Sequence, residues 1–97
     1  MPPLDADAIA AHMPAVPQWT TNGTSIERAF VFPDFRTALA FVNRVGELAE
    51  SHGHHPDLLI HGWNRVKVSL YTHAIGGLSV NDFILAAHID GLDTTPR

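Results

Sequence analysis

HHPDLLIHGWNRVKVSLYTH, residues 54–73, reads as one β-hairpin with imidazoles at both ends. Residues 57–61 are a short apolar run, and Gly62 allows a turn. Residues 64–72 then alternate. Val66, Val68, Leu70 and Thr72 fall on one face, and Arg65, Lys67, Ser69 and Tyr71 on the other. Alternation of this kind marks a strand with one buried side. A hairpin returns the chain on itself, so His73 comes back toward His54 and His55. By parity His73 falls with the polar face, away from the core.

Upstream, the spacing of Phe35, Leu39, Val42, Val45 and Ala49 predicts an amphipathic helix over 35–51. Asp34 is placed to cap it, and Gly53 and Pro56 stop it. Residues 25–32, SIERAFVF, put Ile26, Phe30 and Phe32 on one parity and Glu27 on the other. Asn22-Gly23 is a turn dipeptide, so an extended segment at 18–21 pairs with that strand. A first short helix spans 5–13, with Asp5 as N-cap and Ile9 and Met13 on one face, and Pro14 and Pro17 break it. Downstream, Ile75-Gly76-Gly77 is a flexible connection. Ser79 then caps a helix to about Asp90, with Asp82 at N3, a staple between Leu78 and Phe83, and Gly91 as its end. The order is α-β-β-α-β-β-α. This predicts an α+β fold, a four-stranded antiparallel sheet with three helices packed on one face, in one domain over 1–97.

Composition narrows the function. The chain has 97 residues, 45% hydrophobic and 16% charged, which is globular and not disordered. Six Lys and Arg face ten Asp and Glu, giving a formal net charge of −4 with no basic run, so nucleic acid is not the expected partner. There is no cysteine, which removes disulfides, thiolate metal sites and cysteine nucleophiles and suits a reducing cytoplasm. The N-terminal residues carry no signal-peptide pattern, and no apolar run approaches a membrane span. The expectation is a cytoplasmic protein with no membrane partner.

Four of the seven histidines, His52, His54, His55 and His61, lie within ten residues. Several readings compete for them. His52 suits a helix C-terminus through the dipole. His61 fits a solvated loop, and His12 and His88 fit ordinary surface positions. A metal site could draw on His52, His54 and His55 with Glu50 and Asp57, but no strong ligand spacing such as HExxH is present. Pro56 holds His55 extended. Adjacent extended residues point to opposite sides, so His54 and His55 both reach one ligand only if the turn rotates them or the ligand wraps the corner. Asp82 is explained by its capping position without any catalytic role.

The run Glu50-x-x-x-His54-His55-Pro56, then Trp63, His73 and Gly77-Leu78-Ser79-x-x-Asp82, resembles the pterin-4a-carbinolamine dehydratases. Trp19, Ile26, Arg28, Phe30, Phe32, Phe35, Ala38 and Phe41 resemble the family's upstream pattern. The resemblance covers about residues 19–86 and implies the same α-β-β-α-β-β-α fold. The hairpin between His55 and His73 is one residue longer than in animal members, and Gly62 is where that residue could be absorbed.

The resemblance implies a lyase that dehydrates 4a-hydroxytetrahydropterin to quinonoid dihydropterin. Catalysis would fall to His54, His55 and His73, with Glu50, Pro56, Trp63 and Asp82 binding or orienting. Proton transfer near neutral pH suits histidine, whose ordinary pKa is about 6.5. No cofactor and no metal are expected. The expected partners are the pterin substrate, an aromatic amino acid hydroxylase in the same pathway, and further copies of the chain in a dimer or tetramer. Edge strands and the apolar width of the 35–51 helix, where Phe41 and Leu48 lie off the main stripe, point to the same assembly. The alternative is a pterin- or protein-binding module of this fold without physiological dehydratase activity.

Overall fold

The computed structural model describes residues 2–92. Helix α1 (Ala6–His12) starts where the Asp5 carboxylate accepts the Ala8 N–H at 2.8 Å. A 3₁₀ turn at Met13–Ala15 follows, set by Pro14. Strand β1 is only Thr20–Thr21, and β2 is Ile26–Val31. Between them the Asn22 side chain accepts the Ser25 N–H, closing the turn locally. Helix α2 (Phe35–His52) is capped by Asp34, which accepts the Thr37 N–H at 2.7 Å. Strands β3 (Asp57–His61) and β4 (Arg65–Leu70) form the second hairpin, and α3 (Val80–Asp90) ends the described chain. The element order is the expected one, and the strands are antiparallel in the order β1-β2-β4-β3.

The predicted parities hold. Ile26, Phe30, Val66, Val68 and Leu70 are buried against the helices. Glu27 and Lys67 are on the outer face, 3.2 Å apart. The register aligns Asp57 with Ser69 and His61 with Arg65, and Gly62–Asn64 make the loop between the strands. That loop is costly. Gly62 and Trp63 both have left-handed φ values, 55° and 57°, and an aromatic side chain rarely adopts that conformation.

Helix α2 corrects the expected stripe. Its buried residues are Thr37, Ala38, Phe41, Val45 and Ala49, whereas Phe35 and Leu39 remain 49% and 38% exposed. Phe41 packs at 4.6 and 5.0 Å from the rings of Phe30 and Phe32, and this aromatic cluster selects the face. Burying a side chain of this size stabilises by roughly 2–3 kcal/mol. The helix carries apolar residues around more than one face, so its own periodicity could not make the choice.

Two long-range features frame the site. Trp19 Nε1 donates to Asp90 at 2.8 Å, and Arg28 pairs with the same carboxylate at 2.6 Å, tying β2 and the approach to β1 to the end of α3. The Leu4 N–H donates to the Leu78 carbonyl. Here Pro3 lies so near Gly77 that an added Cβ would sit 2.7 Å from its ring. Gly77 therefore belongs to a packed crossing. The expected flexible connection is instead a 3₁₀ turn, His73–Ile75, followed by a Thr72–Gly77 bridge.

Candidate active site

The site lies where the β3–β4 hairpin opens, beside the C-terminus of α2 and the N-terminus of α3. Gly53, left-handed at φ 63°, ends α2 and returns its N–H to the last turn. The next residues, His54 and His55, leave the helix toward β3. Because Asp57 pairs with Ser69, the chain before Asp57 and the chain after Ser69 emerge at the same end of the sheet. This brings His73 to the end that carries His54 and His55.

His54 Nε2 lies 2.5 Å from Asp82 Oδ1. Asp82 is completely buried and the His54 side chain is 17% exposed. The other Asp82 oxygen accepts the Ser79 N–H at 2.9 Å and the Thr72 hydroxyl at 2.8 Å. One carboxylate thus closes the capping box of α3 and also holds an imidazole. Thr72 spends its proton on Asp82, so the Ser79 hydroxyl, 2.8 Å away, donates to Thr72. A buried carboxylate with three short contacts is well satisfied.

His55 Nε2 lies 2.5 Å from Glu50 Oε2, one helical turn back on α2. This pair is open to solvent, at 66% and 74% exposure. A carboxylate can only accept, so Nε2 of both His54 and His55 carries the proton. Nδ1 of each is left as the nitrogen able to exchange one. His73 differs. Its Nδ1 is 2.7 Å from the Tyr71 hydroxyl, and the two rings pack at 4.1 Å. It is exposed, as its parity predicts.

Of the expected site residues, Glu50, His54, His55, Pro56, His73 and Asp82 gather at this end, with Pro56 half-buried. Trp63 does not. It sits in the turn at the far end of the β3–β4 hairpin, 62% exposed, and a five-residue strand puts roughly 15–20 Å between it and the histidines. The resemblance implied a place for it at the site, and the hairpin carries it the other way. Three participants were not expected at the site, although Ser79 was expected as a helix cap. Thr72 and Ser79 are revealed by the buried carboxylate, and Tyr71 by its contact with His73. His52 packs on His88 at 4.6 Å between the ends of α2 and α3, and His12 stacks on Phe83 at 5.0 Å. Among the described residues no helix is long and apolar enough to cross a membrane.

The family model described as pterin 4 alpha carbinolamine dehydratase matches residues 2–92. A protein of Chlorobium limicola, provisionally named pterin-4-alpha-carbinolamine dehydratase, is 52% identical over 94 residues, covering 93% of this chain and 82% of that one. A protein of Acidobacterium capsulatum with the same provisional name is 47% identical, covering 95% and 99%. A crystal structure titled transcriptional coactivator/pterin dehydratase, from Brucella melitensis, superposes with a TM-score of 0.83 at 31% identity, covering 92% and 96%. A pterin dehydratase-like protein identified as a RuBisCO assembly factor in the alpha-carboxysome shares the fold, with a TM-score of 0.64 at 22% identity over 76% and 87%. With the matched region running through the helices, the sheet and all three clustered histidines, this chain belongs to the pterin 4 alpha carbinolamine dehydratase family.

Proposed function

We propose that the protein is a hydro-lyase that removes water from a 4a-hydroxytetrahydropterin and yields the quinonoid dihydropterin, with His54, His55 and His73 as its acid–base groups. One observation carries the reading. In a chain of this family, two adjacent imidazoles are each held through Nε2 by a carboxylate, leaving Nδ1 of both for proton exchange. In the reaction the C4a–O bond breaks, and the hydroxyl takes a proton and leaves as water. The N5 proton passes to a base, and its electron pair forms the N5=C4a double bond. Protons and electrons balance without an oxidant or reductant. A well-placed acid or base contributes roughly 10²–10⁴-fold.

We assign the main proton transfer to His55, which is exposed and reachable by substrate. His54 and His73 bind the pterin and share the acid and base roles. Glu50 and Asp82 orient imidazoles, and Pro56 holds the His55 backbone extended. The test is dehydration of synthetic 4a-hydroxytetrahydropterin followed by absorbance. The triple replacement of His54, His55 and His73 by Ala should reduce the rate to the uncatalysed level, and chelators should leave the wild-type rate unchanged. Full activity in the triple variant would sink the mechanism.

The physiological setting we propose is cytoplasmic tetrahydropterin recycling, downstream of an aromatic amino acid hydroxylase. The assembly we propose is a homo-oligomer, a dimer or tetramer. It is supported by the exposed outer edge of β3 and by Phe35 and Leu39, one turn apart on the outer side of α2. Sedimentation equilibrium tests it, and a fully active monomer would refute it. Fold alone does not fix activity, as the RuBisCO assembly factor illustrates. A binding module without physiological dehydratase activity is therefore the alternative reading. It predicts pterin or protein binding with no rate above background.

A further inference from the structure

Tyr71 lies outside the residues that carry the family resemblance, yet it makes the one polar contact described for the His73 ring. We infer that Tyr71 is a positioning residue for His73, directing Nε2 of that ring to the substrate and so giving His73 the opposite polarity to His54 and His55. The inference rests on the dehydratase reading above.

The geometry is specific. The hydroxyl meets Nδ1 at 2.7 Å, and the rings pack at 4.1 Å with a 46° tilt. Two residues apart, both sit where β4 runs into the 3₁₀ turn His73–Ile75, with Tyr71 half-buried and His73 exposed. The contact therefore occupies Nδ1 and leaves Nε2 as the nitrogen available to a ligand.

The partner's chemistry matters as much as its position. His54 and His55 face carboxylates, which accept and cannot donate, so each must keep its proton on Nε2. A phenol does both. To a neutral imidazole it donates its O–H to Nδ1, because the phenol is the better acid and the ring nitrogen the better acceptor. To an imidazolium it accepts from Nδ1–H. In both states the same nitrogen is held and the same nitrogen, Nε2, faces outward. When His73 is the acid, the Nε2 proton goes to the C4a hydroxyl, the C4a–O bond breaks and water leaves. The Nδ1 proton stays on the ring, donated as a hydrogen bond to the Tyr71 oxygen, and the ring is left neutral. His54 and His55 work through Nδ1, so the three rings present two kinds of nitrogen to one substrate.

Tyr71→Phe tests this, since it removes the hydroxyl and keeps the ring against His73. Steady-state dehydration of 4a-hydroxytetrahydropterin should show kcat lowered roughly tenfold, the loss of one oriented hydrogen bond, with KM little changed. In parallel, ¹⁵N NMR of the His-labelled protein without substrate should show Nδ1 of neutral His73 unprotonated and displaced upfield by an accepted hydrogen bond. That displacement should vanish in Tyr71→Phe, while the His54 and His55 signals stay in place. Unchanged kcat, or an Nδ1 signal indifferent to the substitution, would overturn the inference. A wild-type protein that dehydrates nothing would overturn the dehydratase reading and the catalytic part of this one. The NMR arm would then still decide whether Tyr71 fixes the His73 tautomer.

Discussion

Two imidazole–carboxylate pairs stand side by side in this molecule at the same 2.5 Å separation, and burial makes them different objects. His54–Asp82 links residues 28 apart, with the carboxylate wholly buried and bonded to Thr72 and Ser79 as well. His55–Glu50 links residues five apart on the surface, with both partners in water. In the first, an unpaired group would be left without solvent, so every partner depends on the others. In the second, water replaces whatever is removed. The same contact therefore secures the fold in one place and orients one side chain in the other.

The sharpest way to break the comparison is Asp82→Ala. It removes the N3 half of the capping box of α3, strands the Ser79 N–H and Thr72 hydroxyl, and leaves His54 unheld. We expect a loss of about 3 kcal/mol in urea denaturation, within the range for breaking a buried pair. Asp82→Asn should lose less stability, because an amide oxygen can still accept one of these bonds. If Asp82→Ala unfolds at the wild-type midpoint, the carboxylate is not the structural centre described here.

His55→Ala comes next, and its effect should fall on activity. We expect kcat to drop roughly 10²–10⁴-fold while stability stays within about 0.5 kcal/mol. His54→Ala should show both effects, because it uncovers a buried carboxylate. Equal stability losses in the two variants would erase the distinction between the pairs.

Glu50→Gln is gentler. It keeps a hydrogen-bond acceptor but no charge, and we expect kcat to fall less than tenfold with unchanged thermal stability. A large stability loss there would contradict the exposure of the pair.

The smallest effect belongs to Asp34, the N-cap of α2, which closes a helix start as Asp82 does from N3 of α3 but in contact with solvent. Hydrogen bonds from the Thr37 side chain and backbone hold its carboxyl below the ordinary carboxylate range. A lowered folded-state pKa means stabilisation present above the unfolded value and lost as pH falls through the folded one. Asp34→Ala should therefore melt slightly below wild type at pH 7, and the gap should narrow as the pH falls below the ordinary carboxylate range. A gap that persists or widens there would assign the difference to something other than the ionised cap.

What the sequence determined on its own is the set of features written within a few residues of themselves. Asp5, Asp34 and Ser79 each precede a helix, and a cap bonds to a neighbour two or three positions on. Strand parity in 26–32 and 64–72 is a property of alternate residues. Element order and sheet class follow from these. The resemblance added the histidines, and six of its seven implied site positions meet at one end of the sheet. Tertiary structure decided the rest. The buried stripe of α2 depended on Phe30 and Phe32 arriving from β2, because the helix offers more than one apolar face. Local pattern made Asp82 part of a helix cap and the resemblance made it an orienting group, and its other oxygen met His54 only after the chain folded back across the sheet. Trp63, implied at the site by the resemblance, sits instead in the loop where the hairpin reverses, at the far end from His73. Periodicity and caps report what a segment can bury or close by itself. Which groups then share one carboxylate, or one ring nitrogen, is settled by contacts between segments that no local pattern encodes.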